Sequence, residues 1–545
     1  MTATITPPRP GQQAEQGGFG RLLRAEWTKF RTVRGWVIGM IVAALLMLLI
    51  GLFAAGSSNI SCGSGPGSPA KTGSACVPAI PLGPDGEAVT DSFYFVRQPL
   101  AGDGTITVRM TSLTGRYGGG AGPASPGGPL SNMHRGVQPW SKAGIIIKAS
   151  TRQGSAYAAM LVTGSHGVRM QYAYTRDVAG LPGAVSAASP RWLRLTRSGD
   201  TITGYDSADG THWTQVGAVR LAGLSSTVQA GLFATSPAYV QLSQFFGGTT
   251  GQVGPSLATG IFDHVSLTGG RLKGDGEVGG AWTGDNIGDQ GAYGPQTSQV
   301  ETFHQAGGTF SVTGSGDIAP VGAGAAGSGA TATIEGHLLG AFAGLIAVVV
   351  IAAMFMTAEY RRGLIRTTLA AAPRRGRVLA AKAIVIGSVT FVVGMVAAVI
   401  AVAVGTRLSR DQGSYVLPVP WLTEVRVIAG TAALLAVGAV LALALGTILR
   451  RSAAAVTAAI VTIVLPYVLG VASVLPVGAG QWLLRVTPAA AFAMQQSIPA
   501  YPQVTDAYTP PAYFPLAPWA GFAVLCGYAA LALGLASFLL RRRDA

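Results

Sequence analysis

The sequence predicts a polytopic α-helical membrane protein of six spans, with an extracellular all-β domain, a sandwich or barrel, inserted between the first span and the second. Three observations carry this. Charged residues make up only 11% of the chain and mean hydropathy is +0.42, against about 25% charged in soluble domains. Six charge-free stretches, Gly35–Phe53, Leu338–Ala358, Ala383–Thr406, Val427–Leu449, Ser452–Leu475 and Trp519–Leu540, reach the length of about 18 residues that a spanning helix needs. Between the first two, the apolar runs give way to short strand-like segments separated by glycine-rich turns.

Taken from the start, residues 1–18 read as a disordered tail. Residues 19–34 form an amphipathic helix lying in the membrane interface. Its apolar face carries Phe19, Leu22, Leu23, Trp27 and Phe30, with Arg21, Arg24, Lys29 and Arg31 elsewhere. Span one occupies 35–55. Its run ends in Ala-Ala-Gly, as a cleaved signal peptide also would, but 34 residues precede it, long for such a signal. A retained helix is the preferred reading. Residues 56–90 are a Gly/Ser/Pro-rich stalk holding Cys62 and Cys76, 14 positions apart. In an exported segment they can form a disulfide, worth about 3 kcal/mol by chain entropy. Cys526 lies in span six and reads as a packing residue. No Cys/His cluster points to a metal.

The sandwich is expected over 91–320, with strands at Ser92–Arg97, Thr105–Met110, Ala143–Lys148, Ala156–Val162, Gly167–Tyr174, Trp192–Thr196, Thr201–Tyr205, Val228–Ala234 and Gly260–Leu267. Trp140, Trp192 and Trp213 are candidates for stacking on a sugar ring, although their alternating strand spacing favours ordinary core and cross-strand positions. Asp206–Trp213 reads as a tight hairpin. A linker, 321–336, leads to span two at 337–358. Residues 359–382 form a loop, and 383–545 hold spans three to six with an external segment at 476–516.

Charge placement sets the orientation. The net charge is +15, yet residues 56–335 hold 16 Lys/Arg against 16 Asp/Glu, so the whole excess lies around the spans. Eighteen Lys/Arg fall on the side of both termini and four on the other. By the positive-inside rule the termini and the 359–382 loop are cytoplasmic and 56–335 is outside. A nucleic-acid binder would carry its excess on a soluble domain, so no nucleic-acid partner is expected. None of the six lysines follows a glycine, which excludes a P-loop, and no G-x-S-x-G elbow occurs. No paired carboxylates suggest glycoside hydrolysis. No span has a charge at its centre, so apolar or amphipathic cargo suits it best.

Two resemblances sharpen this reading. The text FYFVRQPLAGDGTITVRM, WSKAGIIIKAS, SAYAAMLVTGSHGVRMQYAYTRD, PRWLRLTRSGDTITGYDSADGTHWTQVG, VQAGLFATS and FDHVSL resembles the concanavalin-like jelly-roll modules appended to bacterial glycosidases. In that family a strand of the type GGTFSVTGSGDI precedes FYFVRQPL. Here it stands at 307–318, which implies a permuted sandwich whose last strand returns beside the first. The loop TAEYRRGLIRTTLAAAPRRGRVLAAKAIV, with RAEWTKFRTVRGW before span one and WLLRVTPAAAF after span five, is similar to actinobacterial permeases of type-2 ABC exporters. That resemblance covers 19–55 and 337–545, and departs from the family in the large domain after span one. It implies two permease copies or homologues, each docked to a separate cytoplasmic ATPase subunit that binds the ATP; the chain itself has no cofactor. It assigns Glu359, Tyr360, Arg361, Gly363, Arg366 and Thr367 to the coupling region; separately, the three-residue helical spacing lets Glu359 pair with Arg362. Membrane lipids, and a cell-surface glycan on the sandwich, are further expected partners in a bacterial cell membrane. The competing reading is a membrane-anchored carbohydrate-binding or sensing protein, not an enzyme in either case. Peptide mapping without reduction is expected to recover Cys62 linked to Cys76; alkylatable thiols at both would remove the disulfide.

Overall fold

In the computed structural model the described residues are 18–56, 61–62, 71–72, 80–118, 133–245, 248–269, 281–288, 301–322, 331–361, 363, 374–471, 475–504 and 514–543. They form a β-sandwich and a helical region. Arg362, Arg366, Thr367 and Cys76 lie outside them. Cys62 stands in a two-residue strand paired with Lys71–Thr72.

The helical region begins with α1, Phe19–Thr32, two residues shorter than expected because Val33 is extended (φ −86°, ψ 97°). The chain then turns into α2, Arg34–Gly56. After the sandwich come α3, Ala341–Arg361, α4, Arg375–Asp411, and α5, Trp421–Leu449. α6, Ser452–Ala459, and α7, Leu465–Val471, are joined by a wide π turn, Ile460–Val464. Pro466 comes two residues after Val464, and its missing N–H and ring break the regular ladder there. α8 is Val477–Val486 and α9 is Pro518–Arg543. Among the described residues six helical segments are long and apolar enough to cross a membrane. α2 meets the start of α3 backbone to backbone. A Cβ on Gly340 would sit 1.9 Å from the Met47 carbonyl oxygen, and one on Gly51 would sit 2.3 Å from that of His337. Glycine at both positions permits this close crossing.

Expectation and structure differ at α4. Counting charge-free residues starts this helix at Ala383 and leaves Lys382 in a loop. The helix instead starts at Arg375 and runs for 37 residues, well beyond the about 20 a bilayer core requires. A charge ends an apolar run, but it does not end a helix when it is paired.

The sandwich has two sheets. The seven-stranded sheet runs Arg176–Ala179, Val168–Tyr172, Tyr157–Thr163, Lys142–Lys148, Thr227–Thr235, Phe93–Ala101, Thr283–Ile287. The other runs Thr214–Arg220, Thr201–Ser207, Arg191–Ser198, Gly104–Tyr117, Ser256–Gly269, Thr309–Gly314, Thr302–Ala306, with His134–Arg135 beside Gly104–Tyr117. Alternate residues such as Ile106, Val108, Ile145, Met160, Leu193 and Phe262 fill the space between them. The permuted strand behaves differently from expectation. Thr309–Gly314 pairs with Ser256–Gly269 in the opposite sheet, because the free edge of Phe93–Ala101 is taken by Thr283–Ile287. Only the last residues, Ile318–Pro320, return to pair with Val89–Asp91.

That short pair belongs to a further layer over the outer face of the seven-stranded sheet, where Val89, Phe93, Tyr157, Tyr174, Phe233 and Ile318 pack together. Lys142–Lys148 is therefore buried on both faces. Its two lysines point into this layer. Lys148 Nζ donates to Asp91 Oδ2 at 2.6 Å and Lys142 Nζ to Asp317 Oδ1 at 2.7 Å, with all four side chains 0–1% exposed. Tyr174 Oη and Gly154 N–H also donate to Asp91. Burial pushes the Lys148 ammonium below its ordinary pKa, with Asp91 pulling the other way. The sandwich is seated on the helical region through Ala88, Leu417 and Ile498, through Thr331–Ala332 paired in parallel with Tyr415–Val416, and through Gln503 Nε2 donating to the Tyr174 carbonyl at 3.3 Å.

Lys148→Met leaves the Asp91 carboxylate buried without its cation, a loss expected to be about 3–5 kcal/mol. Thermal unfolding of the full chain, followed by tryptophan fluorescence, should show it. Lys148→Met with Asp91→Leu should recover most of the loss.

Candidate functional site

The helices α1, α3 and α4 converge on a ring of four alternating charges. Lys382 Nζ donates to Glu26 Oε2 and to Glu359 Oε1, both at 2.6 Å. Lys29 Nζ closes the ring, at 2.7 Å from Glu26 Oε1 and 3.4 Å from Glu359 Oε1. Side-chain exposure is 0% for Lys382, 1% for Glu26, 11% for Glu359 and 42% for Lys29. The ring is thus closed to solvent at three corners and open at the fourth. Its net charge is zero, which is how apolar surroundings tolerate it.

Each corner has a local cause. Glu26 stands in the middle of the apolar stripe of α1, so burying the stripe buries the carboxylate. The break at Val33 lets α1 fold onto α4. Glu359 sits in the last turn of α3, and Lys382 in the third turn of α4. Aromatic rings seal the site. Phe355 packs edge-on to Phe30 at 5.9 Å and to Trp36 at 5.6 Å, and the Lys382 ammonium lies 5.0 Å from its centroid. Burial works against the Lys29 charge, yet its hydrogen bonds and attraction to Glu26 and Glu359 hold its pKa above the ordinary lysine value. Neighbouring helix ends are tied in as well. Ser452 Oγ at the start of α6 donates to Thr357 Oγ1 at 3.0 Å, and Arg375 Nη1 donates to the Leu540 carbonyl of α9 at 2.7 Å.

The sequence-predicted residues fall into place unevenly. Glu359 joins the ring, but its described partners are Lys382 and Lys29. Tyr360 is half-buried under the Arg450 guanidinium, 5.3 Å from the ring centroid. Arg361 is exposed as the last residue of α3, and Gly363 stands in a turn at φ +67°. On α1, Phe30 is buried, Leu22 and Leu23 are half-buried, and Trp27 is 45% exposed. Sequence reasoning misses Glu26, Lys29 and Lys382 as members of a site. The available signal is an acid at the centre of an apolar helical stripe in a chain with few acids.

The three tryptophans do not assemble a sugar-stacking platform. Trp140 is 1% exposed and stacked on His166 at 4.0 Å. Trp192 has one face against the hairpin at Gly210, where a Cβ would come within 2.6 Å of the ring. Trp213 is covered by the Arg194 guanidinium at 3.7 Å. Asp206–Trp213 is the expected hairpin turn, with Asp209 accepting the N–H groups of Thr211 and His212. Among the described residues no group of three or more His, Cys, Asp or Glu could hold a metal.

No family model and no curated protein matches the chain. Among solved structures, a functionally unknown protein from Saccharomyces cerevisiae is similar at 16% identity and TM-score 0.22, over 36% of this chain and 85% of that one. Scytalido-glutamic peptidase is similar at 11% identity and TM-score 0.25, over 43% and 100%. The GH43 protein BlXynB from Bacillus licheniformis is similar at 17% identity and TM-score 0.16, over 24% of each.

Lys382→Met leaves two carboxylates facing one half-exposed lysine and is expected to destabilise the helical region by about 3–5 kcal/mol. Lys382→Arg keeps the charge and should lose less. Melting of the purified full chain checks the order of the two variants.

Proposed function

We propose that the chain is the membrane-spanning permease subunit of an ABC transporter, an exporter, powered by a separate cytoplasmic ATP-binding subunit. Both termini lie in the cytoplasm of a bacterial cell, residues 56–335 lie outside, and two such chains or homologues pair. The observation that carries the reading is the four-charge ring. It joins the interfacial helix α1 to both helices flanking the 359–382 loop, so a push on that loop reaches α1, α3 and α4 as one body.

Other features support the orientation. The 18 to 4 distribution of Lys/Arg favours the ring end as cytoplasmic. At the sandwich end Trp421, Trp482 and Trp519 are 70%, 62% and 66% exposed, as in an aromatic belt at a membrane surface. Among the described residues, the gap where α2, α3, α4 and α5 meet is only about 10 Å³. A passage for cargo is therefore assigned to the interface between two copies.

Copurification of the full chain from its own membrane should recover an ATP-binding subunit. Reconstituted together, the wild type should stimulate ATP hydrolysis on adding cargo. Glu359→Gln keeps the Lys382–Glu26 pair, so melting and insertion should survive while stimulation drops about tenfold, one broken charge-assisted link between loop and helices. Unchanged stimulation and transport would reject the coupling role.

A further inference from the structure

The eight-stranded sheet carries on its outer face a groove of about 740 Å³, away from the tryptophans and from the charge ring. Its floor is two adjacent rows of side chains running across the strands. In one row Thr114 pairs with Thr259, and Thr259 pairs with Thr313. The latter two hydroxyls lie 2.8 Å apart. In the next row along the strands, about 7 Å away, Arg135 pairs with Arg116 and Arg116 with Leu257.

The arginine row is unusual. Two cations directly opposite on neighbouring strands destabilise a sheet. Both are exposed, and among the described residues neither makes an ion pair. The connecting residues 119–132 contain no Asp or Glu. The outside segment as a whole is balanced in charge, so this is a local concentration of positive charge beside a row of hydroxyls. A guanidinium pair suits carboxylate or phosphate groups. The threonine row suits the ring hydroxyls of a polyol chain. Among the described residues no aromatic side chain lines the groove, which disfavours stacked bases.

We propose that this groove binds an anionic polysaccharide, a glycan chain whose carboxylate or phosphodiester groups sit on Arg116 and Arg135 while its hydroxyls meet Thr114, Thr259 and Thr313. The binding is independent of the transport reading and of the tryptophans first considered for glycan contact.

The test uses the full chain in lipid nanodiscs and four probes: oligogalacturonate, a phosphodiester-linked poly(hexose phosphate), neutral dextran of matched length, and vesicles of anionic lipid. Wild type should bind one or both acidic polymers, the one bound naming the acidic group, and should not bind dextran. Arg116→Gln with Arg135→Gln should weaken binding by tenfold or more with unchanged melting, since both side chains are exposed. Thr259→Val should weaken it less, and Trp192→Ala should leave it unchanged. Binding of neither acidic polymer, equal binding of dextran, unaltered binding by the double variant, or binding of anionic vesicles alone would overturn the proposal.

Discussion

A buried ammonium needs an acid, and in this chain that requirement organises the fold. Three of the six lysines, Lys142, Lys148 and Lys382, are fully buried, in a residue type that almost never is. Each is neutralised by an acid distant in sequence: Asp317 for Lys142, Asp91 for Lys148, and Glu26 with Glu359 for Lys382. The first two fasten the beginning and the end of the sandwich onto its central strand. The third fastens α1 and α3 onto α4. Apolar packing supplies most of the stabilisation, but it has no direction. The ion pairs add direction, since a docking that separated them would leave a charge unpaired in an apolar surround.

The two regions also share a boundary that is more than a tether. The apolar contact of Ala88 with Leu417 and Ile498, the parallel pair Thr331–Ala332 with Tyr415–Val416, and the Gln503 bond to Tyr174 draw on the segment before the sandwich, the segment after it, the α4–α5 connection and the residues before α9. Lys148, Tyr174 and Asp91 lie just inside that boundary. The charge ring lies at the other end of the same helices. α4 runs from one to the other, with Lys382 near its start and Asp411 at its end.

Much of this was legible in the residues. Long charge-free runs mark the helices, because an apolar stretch of bilayer-crossing length is rare in a segment that stays in water. Strand positions follow from alternation, and Trp192–Thr196 and Val228–Ala234 sit inside observed strands. What was not legible depends on pairing across long distances. Lys382 looked like a loop residue because nothing local announces a partner 356 positions away. The strand at Thr309–Gly314 was assigned a neighbour by resemblance, while the competing strand Thr283–Ile287 gave little alternation to reveal it. Whether Trp140 offers a free face is not readable from its neighbours in sequence, because exposure is a property of the folded layers around it. The arginine row was hidden because register, not composition, sets Arg116 opposite Arg135.

The parallel pairing of Thr331–Ala332 with Tyr415–Val416 has a mechanical consequence. Its hydrogen bonds are short and directional, and both residues of the segment are in register, so they resist sliding together rather than one after the other. A force on the sandwich is therefore delivered to the α4–α5 connection as shear. Just beyond that pair His337 Nε2 lies 2.9 Å from Ser409 Oγ near the end of α4, so the segment leaving the sandwich is held at two successive points, to α4 and to the connection that follows it.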